Sequence, residues 1–425
     1  MTRAPAAEPR QHRLSNGVTL ICDPVAGFET LALSVVAGRG ARWEDPARSG
    51  WSHLLEHMVF KGAGGRSARQ IVEAIEADGG QMNAATGHER TSFQVRALRG
   101  GLPLALSIVA DLVQRPILDG DELAREKQVV AQEIAEAADT PDDQVFEMAQ
   151  AAAYAGQALG RPILGSAATI ASADPTALED WRAALYAPDR LVLSVAGAVD
   201  EDEFLRRAEE GFGGATAAVR PDPEPARFVG GHASERRKLE QAHVVFLLPA
   251  PGALDPGYWP IRVFAEALGG GMSSRLFQEA RERLGLAYAI DAYAEAYADT
   301  GVLGVYAGCA PADAGRLAEV AAGQIRSLVA HIDAEELDRA KAQLKAAVFM
   351  GQESLLARAE RSAAQLLTLG ATRSPIDSAR DIDAVTDARL DDLASVMLGG
   401  GATVSVLGPR GAMDAGPRFE AALRK

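Results

Sequence analysis

The sequence predicts an α+β protein built from two similar units, and three observations predict it. The chain has 425 residues, more than one ordinary domain holds. β-prone runs such as TLALSVVA (30–37) are interspersed with long helical patterns near 101–114 and 121–138. The second half also repeats the first. A shift of 212 residues lays TALEDWRAALYAPDRLVLSVAG, from Thr176, on ARLDDLASVMLGGGATVSVLGP, from Ala388, so that Leu178 meets Leu390, Asp180 meets Asp392 and Val192 meets Val404. The same shift lays the strand LALSVVAG on HVVFLLPA at 243–250. One offset serving both ends of each half implies a duplicated unit, each copy a sheet covered by helices.

Within the first copy, Ser15-Asn16-Gly17 reads as a hairpin turn leading into Val18–Cys22. Residues 48–60 fit a helix. Ser67 can cap a second helix, IVEAIEAD, which stops at Gly79-Gly80. A β-prone stretch runs through Thr91–Val95, and a helix at 175–186 precedes a strand at 191–196. Residues 213–231, GGATAAVRPDPEPARFVGG, are rich in Gly and Pro and lack periodicity. They divide the chain into a first domain at 1–214, a linker at 215–231 and a second domain at 232–425.

Composition narrows the function. Hydrophobic residues at 48% and charged residues at 24% are ordinary for a soluble globular chain. A net charge of −15 argues against nucleic acid and anionic membranes as partners, and would suit basic peptides. Cys22 and Cys309 stand alone, which fits a reducing compartment. The N-terminal MTRAPAAEPRQHRLSNG has no apolar core, and no apolar run reaches membrane-spanning length, so the expected location is cytoplasmic.

Two of the seven histidines stand four apart in His53-Leu54-Leu55-Glu56-His57. On a helix that spacing puts both imidazoles on one face, about 5–6 Å apart at Cβ, within reach of one ion. Glu56 flanks the same face. Under the repeat, His53 falls on Ala265, Glu56 on Leu268 and His57 on Gly269, so only the first copy carries the polar set. A third ligand has to come from elsewhere. The best source is DELAREKQVVAQEIAEA, where Glu126 and Glu133 lie seven apart on one helix face beside the apolar Val129, Val130 and Ile134. His88 reads as a loop or strand-edge residue. His12, His232, His243 and His331 sit in no ligand spacing, and Glu73 and Glu76 read as a solvated helix face. Gly269-Gly270-Gly271 lacks a following Lys-Ser or Lys-Thr, which excludes a phosphate loop.

His53-Leu54-Leu55-Glu56-His57-Met58-Val59-Phe60-Lys61-Gly62 resembles the active-site helix of the pitrilysin-like zinc metallopeptidases, whose signature is the inverted motif H-x-x-E-H. The half-size members include the mitochondrial processing peptidase β subunit. In that family a glutamate about 76 residues after the second histidine completes the metal set, and Glu133 stands there; a further glutamate seven earlier matches Glu126. Gly79–Thr86 resembles the strand that binds substrate backbone, at Asn83 and Ala84. GGGMSSRLFQEARERLGLAY (269–288) resembles a second hallmark, an arginine and a tyrosine seven apart, here Arg281 and Tyr288.

The resemblance implies two homologous α/β-roll domains, each a mixed, mostly antiparallel sheet covered by helices. It implies one Zn2+ per chain on His53, His57 and Glu133, with Glu56 as general base and Glu126 supporting the ligands. Arg281 and Tyr288 would bind the peptide carbonyl, and Phe60 would line the site or pack in the core. It further implies a homodimer, the site of one chain completed by Arg281 and Tyr288 of the other, acting on short or unfolded peptides, to which the acidic balance of the chain adds a leaning toward basic ones. The alternative it carries is a catalytically silent structural or partner-dependent subunit.

Overall fold

The computed structural model describes residues 9–216 and 221–425. The expected linker, 215–231, includes residues 217–220, which lie outside the described residues. Two compact units emerge. The first comprises Met1–Ile134, Arg161–Pro223 and Met350–Ser374, and the second Ala135–Gly160, Glu224–Phe349 and Pro375–Lys425.

The first half of the chain runs β1 (Arg10–Arg13), β2 (Thr19–Pro24), β3 (Thr30–Ala37), α1 (Trp51–Val59), β4 (Gly62–Ala63), β5 (Arg66–Ser67), α2 (Ala68–Ala77), β6 (Gln81–Thr86), β7 (Thr91–Leu98), α3 (Leu102–Gln114), α4 (Gly120–Asp139), α5 (Pro141–Ala153), α6 (Ala167–Ala171), α7 (Pro175–Leu185), β8 (Leu191–Gly197) and α8 (Glu201–Phe212). The second half runs β9 (Gly231–Arg236), β10 (Ala242–Ala250), α9 (Tyr258–Ala265), two π-helical turns (Glu266–Gly270 and Phe277–Arg283), β11 (Ala287–Ala296), β12 (Gly301–Cys309), α10 (Ala314–Ala330), α11 (Ala334–Met350), α12 (Leu355–Leu369), α13 (Pro375–Asp383), α14 (Asp387–Gly399), β13 (Thr403–Gly408) and α15 (Ala415–Leu423).

The first sheet has the order β1-β2-β8-β3-β7-β6, and the second β11-β12-β10-β13-β9. Read from its other edge, the second sheet repeats the first strand for strand from β2 to β6. In each, one pair is parallel (β2 with β8, β9 with β13) and the others are antiparallel. The predicted repeat and fold class are therefore the observed ones.

The central strands of each sheet are buried on both faces, which is why TLALSVVA and LVLSVAG read as nearly unbroken apolar runs. Side chains alternate across a strand. Leu33, Val35, Leu193 and Val195 enter the main core of the first unit with α1, α3 and α8. Ala32, Val36, Val192 and Ala196 face the other way, onto Leu355, Ala359 and Ala363 of α12. That helix is also fastened by Arg358, whose Nε and Nη2 donate to the buried Asp23 at 2.8 and 2.9 Å. In the second unit α5 plays the same part. Its Val145, Ala149 and Ala153 cover Val245, Leu247 and Leu407, while Val244, Phe246, Val404 and Val406 face the larger core. Each sheet thus takes one covering helix from the other half of the sequence.

Candidate metal centre

Helix α1 buries Trp51, Leu54, Leu55, Met58 and Val59, and turns His53, Glu56 and His57 to its remaining face. The spacings i, i+3 and i+4 produce that division. The two imidazole rings lie 4.7 Å apart between centroids, inclined by 60°. Helix α4 brings the third group. Glu133 Oε2 stands 3.5 Å from His57 Nε2 and 3.8 Å from His53 Nε2.

Those distances decide between a hydrogen-bonded cluster and a ligand set. They are too long for good hydrogen bonds, and Glu133 Oε2 is buried with no hydrogen-bond partner. Bonds of about 2.0–2.1 Å arranged tetrahedrally around one ion place ligand atoms about 3.3–3.5 Å apart. One ligand atom from each of His53, His57 and Glu133 falls within 4.8 Å of the others, and this is the metal-capable group found among the described residues. The three side chains fit an ion of the size and ligand preference of zinc.

The surroundings support that role. His57 Nδ1 lies 3.0 Å from Glu126 Oε2, and Lys61 Nζ lies 2.7 Å from the other Glu126 oxygen. Glu126 is only 5% exposed, so its carboxylate is directed by these two partners. It holds the proton of His57 on Nδ1 and leaves Nε2 as the donor atom toward Glu133. Burial, with the neighbouring His57, pushes the His53 pKa down to about 4, so its imidazole is neutral at physiological pH, as metal ligation requires.

Glu56 points to a different neighbour. Thr86 Oγ1 donates to its Oε2 at 2.6 Å. Burial raises the Glu56 pKa, and the Thr86 hydrogen bond opposes that rise. Thr86 ends β6, the last strand of its sheet, whose outer edge pairs with no strand among the described residues. On that strand Asn83 is exposed, while Ala84 is packed into the core. Phe60, just past α1, packs against the same core, its ring 6.5 Å from that of Phe93. His88 lies in the β6–β7 turn.

Arg281 and Tyr288 belong to the second unit, and the structure brings them together there. The Arg281 guanidinium lies 4.6 Å from the centre of the Phe277 ring and 5.2 Å from that of Tyr288. Tyr288, near the start of the edge strand β11, is 79% exposed.

Three residues with clear parts in this geometry carried no role in the sequence reading. Lys61 stands four residues after His57, a helical spacing that could have flagged it. Thr86 was within a quoted strand, but only the strand pairing shows it reaching Glu56. Glu44 accepts hydrogen bonds at the head of α1 from six and eight residues away, and no local pattern announces it.

Comparison with known proteins identifies the family. Residues 18–167 match the family model described as insulinase (peptidase family M16), and residues 172–344 match that of the peptidase M16 inactive domain. An uncharacterized zinc protease of Rickettsia bellii is 34% identical over 398 residues, covering 93% of this chain and 97% of the relative. One of Bacillus subtilis is 32% identical over 406 residues, covering 95% and 99%. Among solved structures, a protease from Helicobacter pylori superposes with a TM-score of 0.86 at 21% identity, covering 95% of this chain and 99% of that one. A chain of Complex III2 from Candida albicans gives 0.86 at 20% identity, covering 97% and 99%, and shares the fold. Of the described residues, no helix is long and apolar enough to cross a membrane. The chain belongs to peptidase family M16, the insulinase family, as one of its half-size members.

Proposed function

We propose that this chain is a zinc-dependent endopeptidase that hydrolyses short or unfolded peptides. The observation that carries the reading is the convergence of His53, His57 and the unpartnered, buried Glu133 Oε2 on one point, with Glu56 on the same face of α1. His53, His57 and Glu133 hold one Zn2+, which when bound supplies Lewis acidity to water and to the scissile carbonyl. Glu56 takes the proton of the attacking water on its carboxylate and returns it to the leaving amine. Thr86 aims that carboxylate. Lys61 and Glu126 fix the tautomer and tilt of His57. The open edge of β6, at Asn83 and Ala84, binds the substrate as an added strand.

Arg281 and Tyr288 supply hydrogen bonds to the peptide carbonyl as charge develops on it. Their site is the metal centre of a second copy, so the active form is a homodimer that closes around its substrate, in the cytoplasm. The acidic chain favours basic peptides.

The test is hydrolysis of a library of unstructured peptides by the zinc-loaded protein and by Glu56→Gln. The parent should cleave, and the variant should be slower by about 10²–10⁴-fold, the usual contribution of a positioned base. Equal activity in both removes Glu56 from the mechanism. A silent or partner-dependent subunit is the second reading, favoured by the inactive-domain model that matches 172–344. Equal silence of parent and variant, with rescue by a second protein, supports that reading instead.

A further inference from the structure

The head of α1 is capped from a distance. Gly50, at its N-cap, has φ +91°, and a Cβ there would stand 2.4 Å from Leu164 O and 2.8 Å from Gly165 Cα. No side chain fits at that position, so the usual Ser, Thr, Asp or Asn cap is excluded by the crossing of the two backbones. Glu44 takes over. Its Oε2 accepts from Gly50 N at 2.8 Å and its Oε1 from Ser52 N at 2.7 Å.

The capping carboxylate is itself anchored. Glu44 is 4% exposed, and its backbone carbonyl accepts from the Arg161 guanidinium. Trp181 Nε1 donates to Ser52 Oγ at 3.2 Å, a further tie on the same turn. The segment that delivers Glu44 is bound to the β6–β7 turn, with Ala41 N donating to Gly87 O at 3.0 Å and Arg42 N to His88 O at 2.9 Å. One buried side chain therefore sets the height of α1 against the strand that carries Thr86. Ser52 directly precedes His53, and Thr86 holds Glu56. Burial pushes the Glu44 carboxyl up to about 7, so holding it there is costly, and a rigid helix head is what the fold gains.

We propose that Glu44 is a positioning residue of the metal centre, which fixes α1 so that His53 and His57 meet Glu133 while Glu56 meets Thr86. The inference rests on the zinc-peptidase reading and adds a residue to it.

The test compares the parent with Glu44→Gln, which keeps the shape but presents an amide NH2 to one of the two backbone donors. Zinc affinity of the metal-free protein is measured by competition with a chelating dye. The d–d spectrum of the Co2+-substituted protein, the melting temperature, and kcat and KM are measured beside it. The expected result is a loss of about tenfold or more in zinc affinity, as for groups that orient ligands. The Co2+ band should shift, and kcat should fall at little-changed KM. If Glu44→Gln does not fold, Glu44→Asp keeps the charge on a shorter arm and should show the same losses in smaller measure.

Zinc binding and spectrum like the parent's in the folded variant would overturn the inference and leave the peptidase reading intact. A parent that takes up no zinc would overturn both. A variant whose only defect is a lower melting temperature makes Glu44 a structural cap and likewise overturns it.

Discussion

The two halves repeat one topology, yet the second half lacks the histidines, the base and the third ligand of the metal centre, and keeps only an acid, Asp338, where the first has Glu126. Position by position, Ala265 replaces His53, Leu268 replaces Glu56, Gly269 replaces His57, and Lys345 replaces Glu133. Leu268 is fully buried, and a Cβ on Gly269 would lie 2.4 Å from Ala292 N. The helix has also slipped into a π-helical turn over Glu266–Gly270. Lys345, in place of the third ligand, pairs with Asp383 at 2.6 Å. The second copy has closed the space with backbone and apolar side chains and put a cation where the first holds a carboxylate. A buried polar cluster is costly without partners. The copy that keeps one is the copy with a use for it.

The sharpest way to break the contrast is to make the first copy resemble the second. Glu133→Lys places an ammonium among the ligands and should abolish zinc uptake. Peptidase activity should fall by at least ~10³-fold with the helix content unchanged by circular dichroism. Activity near the parent's would mean that Glu133 is not a ligand. Glu126→Gln acts one step further out. It weakens the hold on His57 Nδ1 and leaves Lys61 without its anion, so zinc affinity should drop by about 10–100-fold in the same competition assay. A change below twofold would make the Lys61–Glu126–His57 chain incidental to the metal.

What was legible in the sequence follows from what is local. The apolar spacing of α1, the capping box from Ser67 to Gln70, and the doubly buried strand TLALSVVA are set by neighbours within a few residues. The repeat made the two sheets predictable as a pair. The exchange of α5 and α12 was not legible, because an apolar stripe such as Val145, Ala149 and Ala153 says that a helix is covered and not by which sheet. Glu44 escaped for the same reason: its partners are set by a backbone crossing at Gly50 and Gly165. The His53–His57 pair was visible because four residues is a helical contact, whereas Glu133 needed a family spacing to single it out from Glu126.

Thr86→Ala sharpens the comparison at the base, since Ala298 stands at the repeat position. A hydrogen bond to a charged group is worth about 1.5–3 kcal/mol, and water can replace part of it, so kcat should fall about tenfold with KM little changed. The direction with pH is fixed. Thr86 stabilises the carboxylate and holds the Glu56 pKa down against burial. Without it that pKa rises, the base is protonated over a wider range, and the acid limb of the kcat profile moves to higher pH. An unmoved limb would show that another group governs it.

The smallest expected effect concerns stability and again separates the halves. Burial, with Arg42 and Arg161 nearby, pushes the His88 pKa from 6.5 down to about 4, and Thr300 occupies its repeat position. Because the folded pKa is lower, the unfolded chain takes up the proton first as pH falls. Stability from this group is complete above about 6.5 and is lost between there and about 4, by up to roughly 3 kcal/mol. His53 behaves alike in the metal-free protein, where its ring also titrates near 4. Glu44, raised to about 7, acts in the opposite sense over the same range, so the share of His88 is read as the difference between parent and His88→Gln. In urea unfolding of the metal-free proteins at several pH values, the stability of the parent relative to His88→Gln should fall as pH drops from about 6.5 to about 4. A difference that does not change with pH would show that His88 contributes nothing to the acid sensitivity.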